Sequence, residues 1–74
     1  EAALEDLDYA IELDRSYATA YLYRGILYST IAEYKNCELA YSNFEQFVNL
    51  EPMAQEIGTI IIILSENCDA ELSQ

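Results

Sequence analysis

The residues able to do chemistry in this sequence are few and one-sided: 14 carboxylates, three cationic side chains, two cysteines and no histidine. Glu1, Glu5, Asp8 and Glu12 step by four, three and four, so a helix would carry them as one acidic stripe. Paired carboxylates can act as general acid and base or hold a divalent cation. Acid–base work needs a pocket with an apolar wall to move a pKa, and the residues around the stripe supply none. Calcium needs a ligand loop turned on a central glycine, and that spacing is missing. The stripe reads as a solvated outer face, with a surface for a basic partner as the functional alternative. Cys37 and Cys68 lie far apart with no histidine to complete a zinc set, and the expectation is two buried free thiols. With a single lysine and no nucleophile motif, a nucleophile and a base in mutual reach cannot be drawn. The sequence is not expected to be an enzyme, and it implies no metal and no cofactor.

Composition narrows the partners. A formal net charge of -11 makes nucleic acid and anionic membrane surfaces poor electrostatic matches, leaving a protein or peptide, apolar or basic, as the expected partner. The hydrophobic content of 53% is enough to offset the entropy of ordering the chain, so a folded state is expected despite the charge. No basic region precedes an apolar stretch at the start, so no signal peptide is expected within the sequence. The compartment stays open, with the cytoplasm favoured.

The elements that must position these residues are helices. Gly and Pro number two and one, and apolar residues recur at steps of three and four. Laying Glu1–Arg15 over Glu38–Pro52, at an offset of 37, matches Glu1, Ala3 and Leu13 to the identical Glu38, Ala40 and Leu50. The same overlay sets Leu7 on Phe44, Asp8 on Glu45, Ile11 on Val48 and Asp14 on Glu51. Self-similarity at a period of 20 to 50 residues marks a helical solenoid. Ala3, Leu7 and Ala10, like Ala40, Phe44 and Phe47, line one face of an amphipathic helix. A second helix is predicted from Tyr17 to Ile31, with Glu33-Tyr34-Lys35-Asn36 as the following turn, and a third ending near Leu50. Pro52 suits the first position of a fourth helix reaching about Leu72.

Ala18-x-x-Tyr21-x-x-x-Gly25-x-x-Tyr28, then Ala32-Glu33-Tyr34, then Ala40-x-x-x-Phe44-x-x-Phe47-x-x-x-x-Pro52 resembles the tetratricopeptide repeat signature. The resemblance implies an all-α fold: about four helices, in antiparallel pairs stacked as an α-α superhelix. It makes residues 1–52 a repeat-like unit, in which 1–15 is the second helix of a preceding repeat and 17–52 one full repeat. It also implies a repeat whose first helix lies outside the sequence. Residues 53–74 form an additional apolar helix. Arg24 stands where the family has leucine, Phe47 where it has alanine, and the repeat is three residues over length, between Tyr34 and Ala40.

A protein-interaction scaffold is the function the resemblance implies. Its peptide surface, the first helix of each pair, maps to Thr19, Leu22, Ile26, Ser29 and Thr30. Leu22 and Ile26 replace the charged residues of a carboxylate clamp, so an apolar or amphipathic partner helix is expected, unless the next helix simply covers these residues. Tyr21, Tyr28 and Tyr34 fall on core slots, which leaves Tyr9, Tyr17, Tyr23 and Tyr41 freer. Ile57–Leu64 is apolar on every side, too short to span a membrane, and does not repeat Gly25 or Tyr28. A strand is the competing reading, since β-branched residues favour one, but no second strand offers itself. As a helix, its Ile57, Ile60, Ile61, Ile63 and Leu64 are candidates for self-association in a homodimer.

Overall fold

The computed structural model describes residues 2–72, and the side chains of residues 3–68. Glu1, a member of the acidic stripe and of the overlay, lies outside the described residues. Helix α1 (Ala2–Leu13) covers the first amphipathic run. It stops where Asp14 turns the chain, its Oδ1 accepting the N–H of Ser16 at 3.0 Å, the local bond by which Asp competes with a helix. The Tyr21 hydroxyl donates to the Arg15 carbonyl at 3.1 Å and ties this turn to the next helix.

Helix α2 (Ala18–Thr30) follows within a residue of its predicted limits. A 3-10 turn over Ala32–Tyr34 then lengthens the connection, and Asn36 begins α3 (Cys37–Leu50) by accepting the N–H of Leu39 on its side-chain oxygen at 3.0 Å. That is an N-cap, which satisfies one of the helix's orphan donors. Helix α3 ends at Leu50, and Glu51, at φ -133° and ψ 69°, has left the helical region that a following proline disfavours. Pro52 therefore does not open the fourth helix. It sits in a turn closed by Ala54 N–H to the Glu51 carbonyl at 3.2 Å, and α4 runs over Glu56–Leu72.

Among the described residues the fold is all-α, with no strand; Ile57–Leu64 is helical, so the strand reading of that run does not hold. Helix α2 is central. It packs on α3 most extensively and also touches α1 and α4, while α4 leans on both α2 and α3. Ala18, Leu22, Ala40, Phe44, Phe47 and Ile60 form one buried cluster shared by α2, α3 and α4. The α2–α3 approach depends on Gly25. A Cβ there would lie 2.7 Å from two ring carbons of Phe44, a side chain only 2% exposed. Ala40, fully buried, gives the facing helix an equally small surface.

The two cysteines are not free. Cys37, the first residue of α3, is joined to Cys68 on α4 in a disulfide, with Cα atoms 5.8 Å apart. The expectation of separate thiols fails because the angle at which α4 returns across the core sets which residues meet. Sequence separation says nothing of that angle.

Candidate interaction surfaces

The five α2 residues expected to bind a partner do not share one surface. Leu22 and Ser29 are buried, Leu22 in the core and Ser29 with its hydroxyl donating to the Gly25 carbonyl at 2.9 Å. They are therefore removed from the candidate surface, because they lie on the side of α2 that α3 covers. Thr19 and Thr30 are exposed and Ile26 is half-buried; with the exposed Tyr23 they make an outward stripe at steps of four, three and four. The Thr30 hydroxyl is already engaged, donating to the Ile26 carbonyl at 2.7 Å.

Arg24 is explained by what it reaches. Its Nη1 meets Asp8 Oδ1 on α1 at 2.9 Å, and its Nε donates to Asn43 Oδ1 on α3 at 2.7 Å. Its guanidinium also lies 5.6 Å from the centre of the Tyr21 ring, within cation–π range. The buried Asn43 completes its bonding by donating to the Leu39 carbonyl at 2.8 Å. One arginine thus joins three helices where an apolar residue would join two. Asn43 is legible as an anomaly in the sequence: a polar residue between Ala40 and Phe44 on an otherwise apolar face requires a partner. Of the acidic stripe, Asp8 is committed to Arg24, while Glu5 and Glu12 are exposed.

Two apolar grooves lie open. The first, about 330 Å³, runs between α1 and α2 and is lined by Ala3, Asp6, Leu7, Tyr23, Ile26 and Leu27. The second, about 250 Å³, lies between α3 and α4, floored by Phe44, Val48, Ile57, Ile60 and Leu64 with Tyr41 and Glu45 at its edge. Each contains one carboxylate and no cationic residue. Tyr9, Tyr17, Tyr23 and Tyr41 are exposed, whereas Tyr21, Tyr28 and Tyr34 are half-buried.

The self-association candidates on α4 also divide. Ile60 is 4% exposed and belongs to the core, so it is withdrawn from that set. Ile57, Ile63 and Leu64 are half-buried. Ile61 and its neighbour Ile62 are 63% and 57% exposed. Helix α4 packs on α2 and α3 and leaves this edge open.

Among the described residues, no group of His, Cys, Asp or Glu side chains could hold a metal ion. No helix among the described residues is long and apolar enough to cross a membrane. The chain matches no model of a known protein family, no curated protein and no solved structure.

Proposed function

We propose that this chain is a helical-repeat interaction module, akin to the tetratricopeptide type, that docks an amphipathic helix or peptide of a partner protein. The observation that carries the reading is the apolar groove between α1 and α2, bordered by the α2 stripe of Thr19, Tyr23, Ile26 and Thr30. Grooves of this kind take a partner helix by burying its apolar face at roughly 25 cal/mol per Å². The 37-residue internal repeat and the Gly25–Phe44 packing support the repeat-type architecture. A net charge of -11, with Asp6 in the groove and Glu5 and Glu12 exposed on α1, favours a basic partner and speeds its encounter.

Calorimetry of the full chain against two amphipathic helical peptides of equal apolar face, one lysine-rich and one glutamate-rich, tests this. Saturable binding of the basic peptide that weakens with salt is the expected result. Equal indifference to both peptides overturns the reading. Self-association through α4 is a second reading, favoured by the exposed pair Ile61 and Ile62.

A further inference from the structure

Helix α4 is held by two fastenings of different kinds. Ile60, 4% exposed, sits in the buried cluster shared with α2 and α3, and Ile63 and Leu64 pack against that cluster. About 12 Å further along the helix axis, Cys68 is bonded to Cys37 of α3. Charge does not draw α4 inward. The one ion pair among the described residues joins Arg24 to Asp8, and so α2 to α1. None of the three cationic residues, Arg15, Arg24 and Lys35, lies on α3 or α4, while Glu38 and Glu45 stand on α3 and Glu56 and Glu66 on α4. Like charges on the two helices favour their separation.

Neither cysteine is open to a reductant. Cys37 is 8% exposed and Cys68 0%. Thiol–disulfide exchange sets the attacking, central and leaving sulfurs in line, so the nucleophile needs free space behind the sulfur that it attacks. Cys37 is the better leaving group, because it opens α3 and the N–H groups of that first turn favour negative charge. Attack then falls on Cys68, the residue with no exposed surface.

We propose that α4 is a redox-latched strap: a dithiol reaches the Cys37–Cys68 bond only after α4 has lifted from the Ile60 seat, and breaking the bond then releases the helix. In the lifted state one thiolate of the dithiol attacks the Cys68 sulfur. The bond to Cys37 breaks, and Cys37 leaves with the electron pair and is protonated. The second thiol closes on the mixed disulfide and expels Cys68, which is protonated in turn. Two electrons and two protons pass from the dithiol, which ends as a cyclic disulfide, to the cysteine pair. The seat shields the bond, and the bond keeps the strap on its seat. Once the bond is cut, Ala18, Leu22, Phe44 and Phe47 lose the cover of Ile60. Resistance to reduction is therefore set by the grip of α4 and not by the stability of the whole fold.

The test is the rate at which dithiothreitol reduces the full oxidised chain, read by trapping the freed thiols with iodoacetamide and measuring the mass. The strap predicts reduction in native buffer at least roughly a hundredfold slower than for the same chain unfolded in urea. Ile60→Ala loosens the seat and should speed native reduction roughly tenfold or more. Ile11→Ala shortens a buried side chain of α1 outside the cluster that holds Ile60, and should change the rate by less than about twofold even where the two variants lose equal melting temperature. Where an alanine variant does not fold, Ile60→Val and Ile11→Val give the same contrast at roughly threefold. Equal rates in native buffer and in urea would mean an accessible bond and overturn the strap. So would an Ile11 variant that speeds reduction as much as the Ile60 variant, which makes global unfolding the gate, or an Ile60 variant with no effect.

Discussion

The backbone of Gly25 lies so close to Phe44 that a Cβ at position 25 would stand 2.7 Å from the ring carbons Cδ1 and Cε1. Phe44 is 2% exposed and belongs to the buried cluster, so its ring yields only by repacking its neighbours. Gly25→Ala gains about 1 kcal/mol of helix propensity but overpacks the core at a cost of about 1–3 kcal/mol. At this distance the cost prevails. The expected outcome is a lower melting temperature, by roughly 4–8 °C for each kcal/mol lost. Gly58→Ala is the control: its Cβ would meet nothing within 4 Å, so it should raise stability by about 0.5 kcal/mol. Thermal melts followed by circular dichroism read both signs.

The disulfide closes a loop with a sequence separation of 31. In the chain-entropy account a loop of that length is worth about 3–4 kcal/mol, close to what a single core of this size supplies. Reduction, or Cys37→Ser with Cys68→Ser, is expected to unfold a large fraction of the chain at room temperature. Melts with and without a phosphine reductant check this. A bond of this kind persists in oxidising compartments, which counts against the cytoplasmic placement favoured from sequence.

Arg24→Leu restores the residue that the repeat signature has at this position, yet it is expected to destabilise. It leaves the Oδ1 of buried Asn43 without its donor, at a cost of about 1–3 kcal/mol. Replacing both partners, Arg24→Leu with Asn43→Leu, should recover most of that loss, because two apolar residues have no unmet bond. The exposed ion pair to Asp8 adds little by comparison. Urea denaturation of the two single variants and the double variant measures the coupling.

Ile61 and Ile62 stand out from α4 into solvent. If they mediate self-association, the mass by light scattering should rise with protein concentration. Ile61→Ser with Ile62→Ser should abolish that rise and change the melting temperature of the dilute chain little. A strict monomer at every concentration would dismiss the dimer.

The helices were legible because steps of three and four residues report which side chains can share a face, and both stretches of the 37-residue overlay are helical, in α1 and α3. The orientation of those faces was not legible. Leu22 and Ser29 fall on the expected binding surface and Ile60 on the expected dimer surface, yet all three are buried, because a helical stripe becomes inside or outside only once a neighbour is docked on it. Pro52 was assigned to a helix start on its lack of an N–H, while its constraint on Glu51 prevailed locally. The cysteine pairing depended on the return angle of α4. Arg24 and Asn43 were each visible as anomalies, but linking them required the pairing of α2 with α3.

The central claim is that the groove between α1 and α2 receives a helix. The most direct measurement is nitrogen-15 chemical-shift mapping of the full chain during titration with the lysine-rich amphipathic peptide. The account predicts saturable shifts concentrated at Asp6, Leu7, Tyr23, Ile26 and Leu27. Shifts absent at millimolar peptide, or scattered evenly over all four helices, would contradict it.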